Sequence, residues 1–355
     1  MSLPHKSALR HRALVSAIGM VLAVVAAWHG AGTGACLADR CGTGAETARK
    51  IVIAHRGASA YLPEHTLEAA SMAYAMGADF IEQDVVLTKD LVPIVLHDIY
   101  LNATTNVREV FPDRARPDRR WYAIDFALSE VKALRVNERV NPATGIVVFT
   151  GRFPVGKSKF EVPTLAEEIE LILGLNKSTG RNVGIYPEIK GSAFHLREAF
   201  DIDRIVLNVL YEYGYRDADS NIFVQSFEAH CLMRLRFEFG TKLRLVQLIA
   251  GSRDYDAMVT REGLDKVATY ANGIGPTTSR IMSSRGQAVD NLSLVREAQA
   301  RGLVVHPYTF RAEALPSYAR SLEEELRRYY FEIGVDGVFT DNPDIAHRVL
   351  QEGER

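Results

Sequence analysis

Cysteine is scarce, with three residues in a chain of 355, too few for a disulfide scaffold. Proline (13) and glycine (26) stay at ordinary levels, which excludes a collagen-like repeat. Aromatics make up only 9%, but 47% of the chain is apolar and 24% charged, which is too much core-forming material for a disordered chain. Neither sign of charge dominates. With 42 basic against 44 acidic side chains the formal net charge is -2, and the basic footprint of a nucleic-acid binder is missing. The length permits one large domain or two ordinary ones.

The first 35 residues lack acid altogether and carry Lys6, Arg10 and Arg12. After this basic start come the apolar run Ala13–Ala27 and then small residues ending Gly32-Thr33-Gly34-Ala35-Cys36. The run is shorter than the roughly 20 residues a membrane span takes, so 1–35 is expected to be a cleaved export signal, with 36–50 a linker. A periplasmic or secreted protein with no stable membrane span in its mature chain follows from this. Cys36 is a candidate for lipid anchoring or for a local disulfide with Cys41, whereas Cys231 reads as a buried small apolar residue. Without the leader, 39 basic and 44 acidic residues remain, a net charge of -5.

Beyond the linker, β-rich runs at Ile51–Ala54, Asp79–Leu87, Val183–Ile189, Ile222–Gln225, Leu243–Leu248, Gly273–Gly275, Leu303–Val305 and Gly337–Phe339 alternate with amphipathic stretches. The helical stretches are Thr66–Met76, Leu165–Leu175, Leu196–Tyr213, Glu228–Phe239, Leu292–Arg301 and Leu322–Ile333. Eight strands with interleaved helices over 51–350 predict an α/β fold, a (β/α)8 TIM barrel. An open doubly wound sheet fits less well, because no Gly-rich nucleotide loop follows the first strand. Val92–Leu96 comes too soon after the second strand for a parallel crossover and must pair with it as an antiparallel hairpin. With the turn near Lys89-Asp90, Glu82 is expected opposite His97 and Asp84 opposite Val95. The stretch from about 98 to 162 lacks periodicity and is read as a small inserted subdomain following that hairpin.

Catalytic residues of such a barrel lie at the C-terminal ends of its strands. His55 and Arg56 end the first. In the second, the spacing of Glu82 and Asp84 puts both carboxylates on one face, where two like charges in an apolar strand ask for a cation. Glu188 has the same setting, with Lys190 beside it. Three carboxylates without clustered cysteines form a hard oxygen site suited to Ca²⁺ or Mg²⁺, and Arg56 and Lys190 add fixed positive charge for a phosphate ester. His97, delivered by the hairpin, joins His55 as an acid–base pair. Glu64 and His65 read as an ordinary helix start or as the phosphate end of the pocket, and Gln225, Phe227, His306 and Tyr308 as candidates to line the pocket or finish the core. His195, His230 and His347 read as packing or surface residues, and Arg114–Arg120 as a solvated basic face.

The runs HRGASAYLPEHT (His55–Thr66), FIEQDVVLTKD (Phe80–Asp90), VLHD (Val95–Asp98), GRFPVGKS (Gly151–Ser158), NVGIYPEIK (Asn182–Lys190), LVQLIA (Leu245–Ala250), NGIGP (Asn272–Pro276), VVHPYT (Val304–Thr309) and GVFTDNPD (Gly337–Asp344) resemble, in order, the glycerophosphodiester phosphodiesterases, most closely their exported bacterial branch. The resemblance implies a phosphoric diester hydrolase that converts small-molecule glycerophosphodiesters such as glycerophosphocholine and glycerophosphoethanolamine to sn-glycerol 3-phosphate and an alcohol. It further implies Ca²⁺ in preference to Mg²⁺ on Glu82, Asp84 and Glu188, with His55 and His97 as acid and base and Arg56 and Lys190 on the phosphate. His65 stands where many members have Asn, and Tyr308 where many have Trp. A lysophospholipase D-like activity, a choline-binding surface lipoprotein of the same fold and a homodimer stay open.

Overall fold

A computed structural model describes residues 49–353. The chain enters at strand β1 (Ile51–Ala54) and returns through helix Leu67–Ala75 to β2 (Phe80–Leu87), which turns directly into β3 (Pro93–Val95). There follow β4 (Gly184–Ile189), β5 (Phe223–Ser226), β6 (Arg244–Ile249), β7 (Gly273–Pro276), β8 (Val304–Val305) and β9 (Gly337–Thr340). All but β3 run parallel, in the order β8-β7-β6-β5-β4-β2-β1-β9, with β3 an antiparallel flap on β2. Past the short β8, Phe310 N donates to Phe339 O (2.9 Å) and Phe339 N to Pro307 O (3.0 Å), which brings the two ends together into the expected, nearly closed barrel. Among the described residues no helix is long and apolar enough to cross a membrane. The expected leader, Cys36 and Cys41 lie outside the described residues.

Local chemistry sets the helix starts. Thr66 accepts from Ala69 N (3.1 Å), and Thr164 forms a reciprocal capping box with Glu167. The single helix expected over Leu196–Tyr213 is two, Ser192–Arg197 and Ile202–Glu212. Ala199 adopts a left-handed φ of 67°, and the Asp201 side chain then caps the second helix through Arg204 N. The expected helices at Glu228–Phe239 and Leu322–Ile333 both widen into π-turns in their second halves.

The alternation along β2 divides the interior into layers. Phe80, Glu82 and Asp84 point into the barrel, while Ile81, Gln83 and Val85 face the surrounding helices, where Ile81 and Val85 join the large outer core. Phe80, Tyr186 and Phe223 fill the lower barrel, with Tyr186 and Phe223 stacked at 5.0 Å between centroids. Above this apolar plug Asp84 pairs in register with Glu188, and Glu188 with Gln225. The polar layer is therefore confined to the C-terminal rim.

The hairpin register differs from expectation by one residue. Val85, not Asp84, faces Val95, and Asp84 O accepts from Leu96 N at 2.8 Å, so Glu82 does not lie opposite His97. The turn closes with Thr88 N on Val92 O, and Leu91 takes a left-handed φ of 65°, which sets the register. Residues 98–162 form short helical turns around their own apolar cluster, including Leu101, Trp121, Phe126 and Phe160.

Candidate active site

The first strand ends where Arg56 adopts a left-handed φ of 59° and Gly57 one of 80°. A Cβ on Gly57 would lie 2.8 Å from the Ala69 carbonyl carbon, so the turn must carry glycine. This bend aims Arg56 N at Glu82 Oε2 (2.7 Å) and sets the Arg56 guanidinium 3.5 Å from Asp84 Oδ2. Around it a cavity of about 320 Å³ opens at the barrel rim, lined among others by His55, Arg56, Glu82, Asp84, His97, Glu188, Lys190, Gln225, Phe227 and Tyr308. The structure thus gathers most of the residues singled out from the sequence, though His65 and His306 do not line the cavity. Glu64 is outside it too: it lies behind Arg56, joined to it at 3.0 Å and to Arg139 at 2.6 Å, because a buried carboxylate between two guanidiniums is held away from the cavity.

Burial tends to raise all three inward carboxyls, and they diverge according to their neighbours. Lys190 at 3.5 Å and His65 at 2.7 Å hold Asp84 well below the ordinary range despite its burial. Burial and the Asp84 charge push Glu82 well up. Burial pushes Glu188 up to about 8, although Lys190 Nζ donates to it at 2.9 Å. Three carboxylates here cannot all stay ionised without more positive charge than the chain supplies. Asp84 Oδ1 is buried without a hydrogen-bond partner among the described residues. His65, Glu82 and Asp84 each offer a ligand atom, all within 4.8 Å of one another. These three could hold a metal ion together, with His65, read from the sequence as a helix start or the phosphate end of the pocket, in the set and Glu188 outside it. The His65 φ of 58° is one that Asn also tolerates well.

Each histidine leans on a carboxylate. His55 Nδ1 bonds to Asp341 Oδ1 at 2.6 Å, and His97 Nδ1 to Asp98 Oδ1 at 3.0 Å. Burial, with Arg56 adding repulsion, pushes His55 down to about 3; burial, Arg56 and Lys190 push His97 down to about 4. Asp98 continues into a relay of alternating charge, donating nothing and accepting from Arg139 Nη1 (2.7 Å), which also holds Glu64. Burial tends to raise the Asp98 carboxyl, but His97 and Arg139 hold it at about 2.

Gln225 Nε2 approaches Glu82 Oε1 at 3.5 Å, and Phe227 meets Tyr308 edge to face with centroids 5.8 Å apart. His306 belongs to the core, bonded to the Tyr186 hydroxyl at 3.0 Å, and His195 packs against Gly191 O and Leu87 N. Cys231 is buried. The basic face at Arg114–Arg120 is partly paired, Arg116 bridging Asp125 and Glu198. Sequence reasoning missed Asp341, Asp98, Arg139, Arg152 and Arg311 as partners of the site. A usable signal existed for two of them: Asp341 follows the last strand directly, and Asp98 follows His97.

A profile of the Glycerophosphoryl diester phosphodiesterase family matches residues 55–345. A glycerophosphodiester phosphodiesterase of Haemophilus influenzae is 39% identical over 327 residues, covering 85% of this chain and 90% of its own. One from Treponema pallidum is 34% identical over 331 residues, covering 86% and 93%. Among solved structures, one from Silicibacter pomeroyi superposes with a TM-score of 0.67 at 26% identity, covering 86% of this chain and 95% of the other. An Oleispira antarctica phosphodiesterase in complex with the product sn-glycerol-3-phosphate shares the fold, with a TM-score of 0.58 at 20% identity, covering 85% and 96%. With motif order, rim chemistry and near-complete coverage in agreement, the chain belongs to the glycerophosphoryl diester phosphodiesterase family.

Proposed function

We propose that this phosphodiesterase hydrolyses glycerophosphodiesters such as glycerophosphocholine and glycerophosphoethanolamine to sn-glycerol 3-phosphate and an alcohol, in a Ca²⁺-dependent reaction run by two histidines. The observation that carries the reading is the paired dyads: two imidazoles, each anchored through Nδ1 to a carboxylate, line one cavity with Arg56 and Lys190. Anchoring Nδ1–H leaves Nε2 of each ring as the working nitrogen. One imidazole removes the proton from the attacking hydroxyl, and the other returns a proton to the leaving alkoxide. Both rings are neutral in the resting site. An incoming phosphodiester anion offsets Arg56 and Lys190, the charges that disfavour imidazolium, and so favours protonation of the acid.

Glu82, Asp84 and Glu188 fit a hard cation, being oxygen donors with more negative charge than their surroundings neutralise, and the buried Asp84 Oδ1 has no hydrogen bond, only Lys190 Nζ at 3.5 Å. Several carboxylates together favour Ca²⁺, since Mg²⁺ usually keeps water and takes one or two. When bound, the cation supplies Lewis-acid charge to the phosphoryl group. Arg56 and Lys190 bind and orient the same group from the protein side. The basic start and apolar run before residue 36 support export of the enzyme.

The test incubates the full chain with glycerophosphocholine and couples sn-glycerol 3-phosphate release to its dehydrogenase, before and after exhaustive chelation and after Ca²⁺ is restored. Release that stops on chelation and returns with Ca²⁺ is expected. Unchanged release without metal would overturn the cation's role, and full activity in His55→Ala or His97→Ala would overturn the acid–base assignment.

A further inference from the structure

Arg152 lies in the insertion, on the Gly151–Ser158 run, and its side chain is only 5% exposed although it is a long cation on an irregular segment. Its three partners come from three separate parts of the chain. Nη1 donates to Ser59 O (3.1 Å) in the loop after β1, Nε donates to Glu313 Oε1 (2.6 Å), and Nη2 donates to Asp341 Oδ2 at the end of β9. Arg311 Nε donates to the same Asp341 oxygen at 2.7 Å. The Phe149 ring lies beneath both guanidiniums, with centroid distances of 3.8 Å to Arg152 and 5.8 Å to Arg311.

Asp341 is therefore saturated on one side. With Oδ2 occupied by two donors that cannot accept, only Oδ1 remains for His55, and the carboxylate cannot rotate without giving up a charge-assisted bond. A fixed, ionised Oδ1 requires a proton on His55 Nδ1, which leaves the Nε2 lone pair for the cavity. Arg152 does not line that cavity; its connection to the site runs through Asp341, the group that orients the histidine. The same insertion provides Asp98 and Arg139 to His97, so both rings take their orientation from this one subdomain.

We propose that Arg152 is a positioning residue through which the insertion locks Asp341 and thereby the tautomer and ring plane of His55. This rests on the acid–base reading of His55 above, and the experiment separates the two. Arg152→Ala, Arg152→Lys and His55→Ala are made in the full chain, with kcat and KM measured on glycerophosphocholine. The His55 ring nitrogens are followed by ¹⁵N NMR in histidine-labelled protein.

For Arg152→Ala, kcat should fall roughly 10²-fold, the scale of a small misplacement of a catalytic group, while KM stays within about threefold. Added guanidinium ion should restore much of the lost kcat in Arg152→Ala and none in His55→Ala. The ¹⁵N shifts should show loss of the single Nδ1–H tautomer. Arg152→Lys should fall between, because one ammonium cannot serve Asp341, Glu313 and Ser59 in that geometry; it carries the same test if the alanine variant fails to fold. Unaltered kcat, or a loss that guanidinium does not rescue and that leaves the His55 shifts in place, would overturn the positioning role. Full activity in His55→Ala would instead overturn the reading on which it rests.

Discussion

Replacing Asp98 by Asn changes almost no volume, yet it should reverse what His97 can do. Asp98 accepts twice: from His97 Nδ1 at 3.0 Å and from Arg139 Nη1 at 2.7 Å. Arg139 can only donate, so an Asn side chain must turn its carbonyl oxygen to Arg139 and its amide nitrogen to the imidazole. His97 Nδ1 then has to accept, and its proton moves to Nε2, the nitrogen that faces the reaction. A neutral imidazole with Nε2–H cannot act as a base there and is a very weak acid, and without the carboxylate the imidazolium is disfavoured further. The expected loss is that of one acid–base function, about 10²–10⁴ in kcat, or roughly 3–5 kcal/mol of transition-state stabilisation. Asp98→Ala removes the orienting group without enforcing the wrong tautomer, and Arg139 keeps its two bonds to Glu64, so the alanine variant should be the more active of the two. The assay is coupled release of sn-glycerol 3-phosphate under saturating substrate, with thermal melts to establish folding. Wild-type kcat in Asp98→Asn, or an alanine variant slower than the asparagine one, would refute the reasoning.

Three further outcomes follow from other parts of the molecule. Burial pushes Glu168 from its ordinary 4.5 up to about 8 while Gln83 donates to it at 3.0 Å, so across that interval the folded chain holds a proton the unfolded chain has lost. Stability should therefore fall by up to about 1.4 kcal/mol per pH unit as pH rises, and Glu168→Gln should gain on the wild type between pH 5 and pH 7.5 in urea melts; parallel curves would contradict this. His65→Asn should stay within about threefold of wild-type kcat, since Asn accepts the left-handed backbone and can still donate to Asp84, whereas His65→Val should lose roughly 1–3 kcal/mol of stability in thermal denaturation. Mass spectrometry of the chain recovered from an exporting bacterium should find a mature terminus close to residue 36, and an intact Met1 would count against the leader.

What could be read from the sequence divides along a physical line. The face shared by Glu82 and Asp84 follows from the period of a strand, and their placement at the rim follows from the barrel, because ligands gather where parallel strands end. These are properties of one element or of the fold class, and both are printed in the local pattern. The hairpin register was missed by one residue because it depends on the dihedral of a single turn residue, Leu91, which no periodicity encodes.

The partners of the histidines were harder still. Asp341 is separated from His55 by 286 positions and from Arg152 by 189, and such a contact exists only once the barrel has closed and the insertion has folded over it. The residues missed are not weaker in chemistry than those found. They act on each other across elements, so their roles appear only when the first strand, the last strand and the insertion share one corner of the structure. For this enzyme the sequence pattern locates the charged groups that line the cavity, and tertiary closure determines which nitrogen of each imidazole is left without a carboxylate partner.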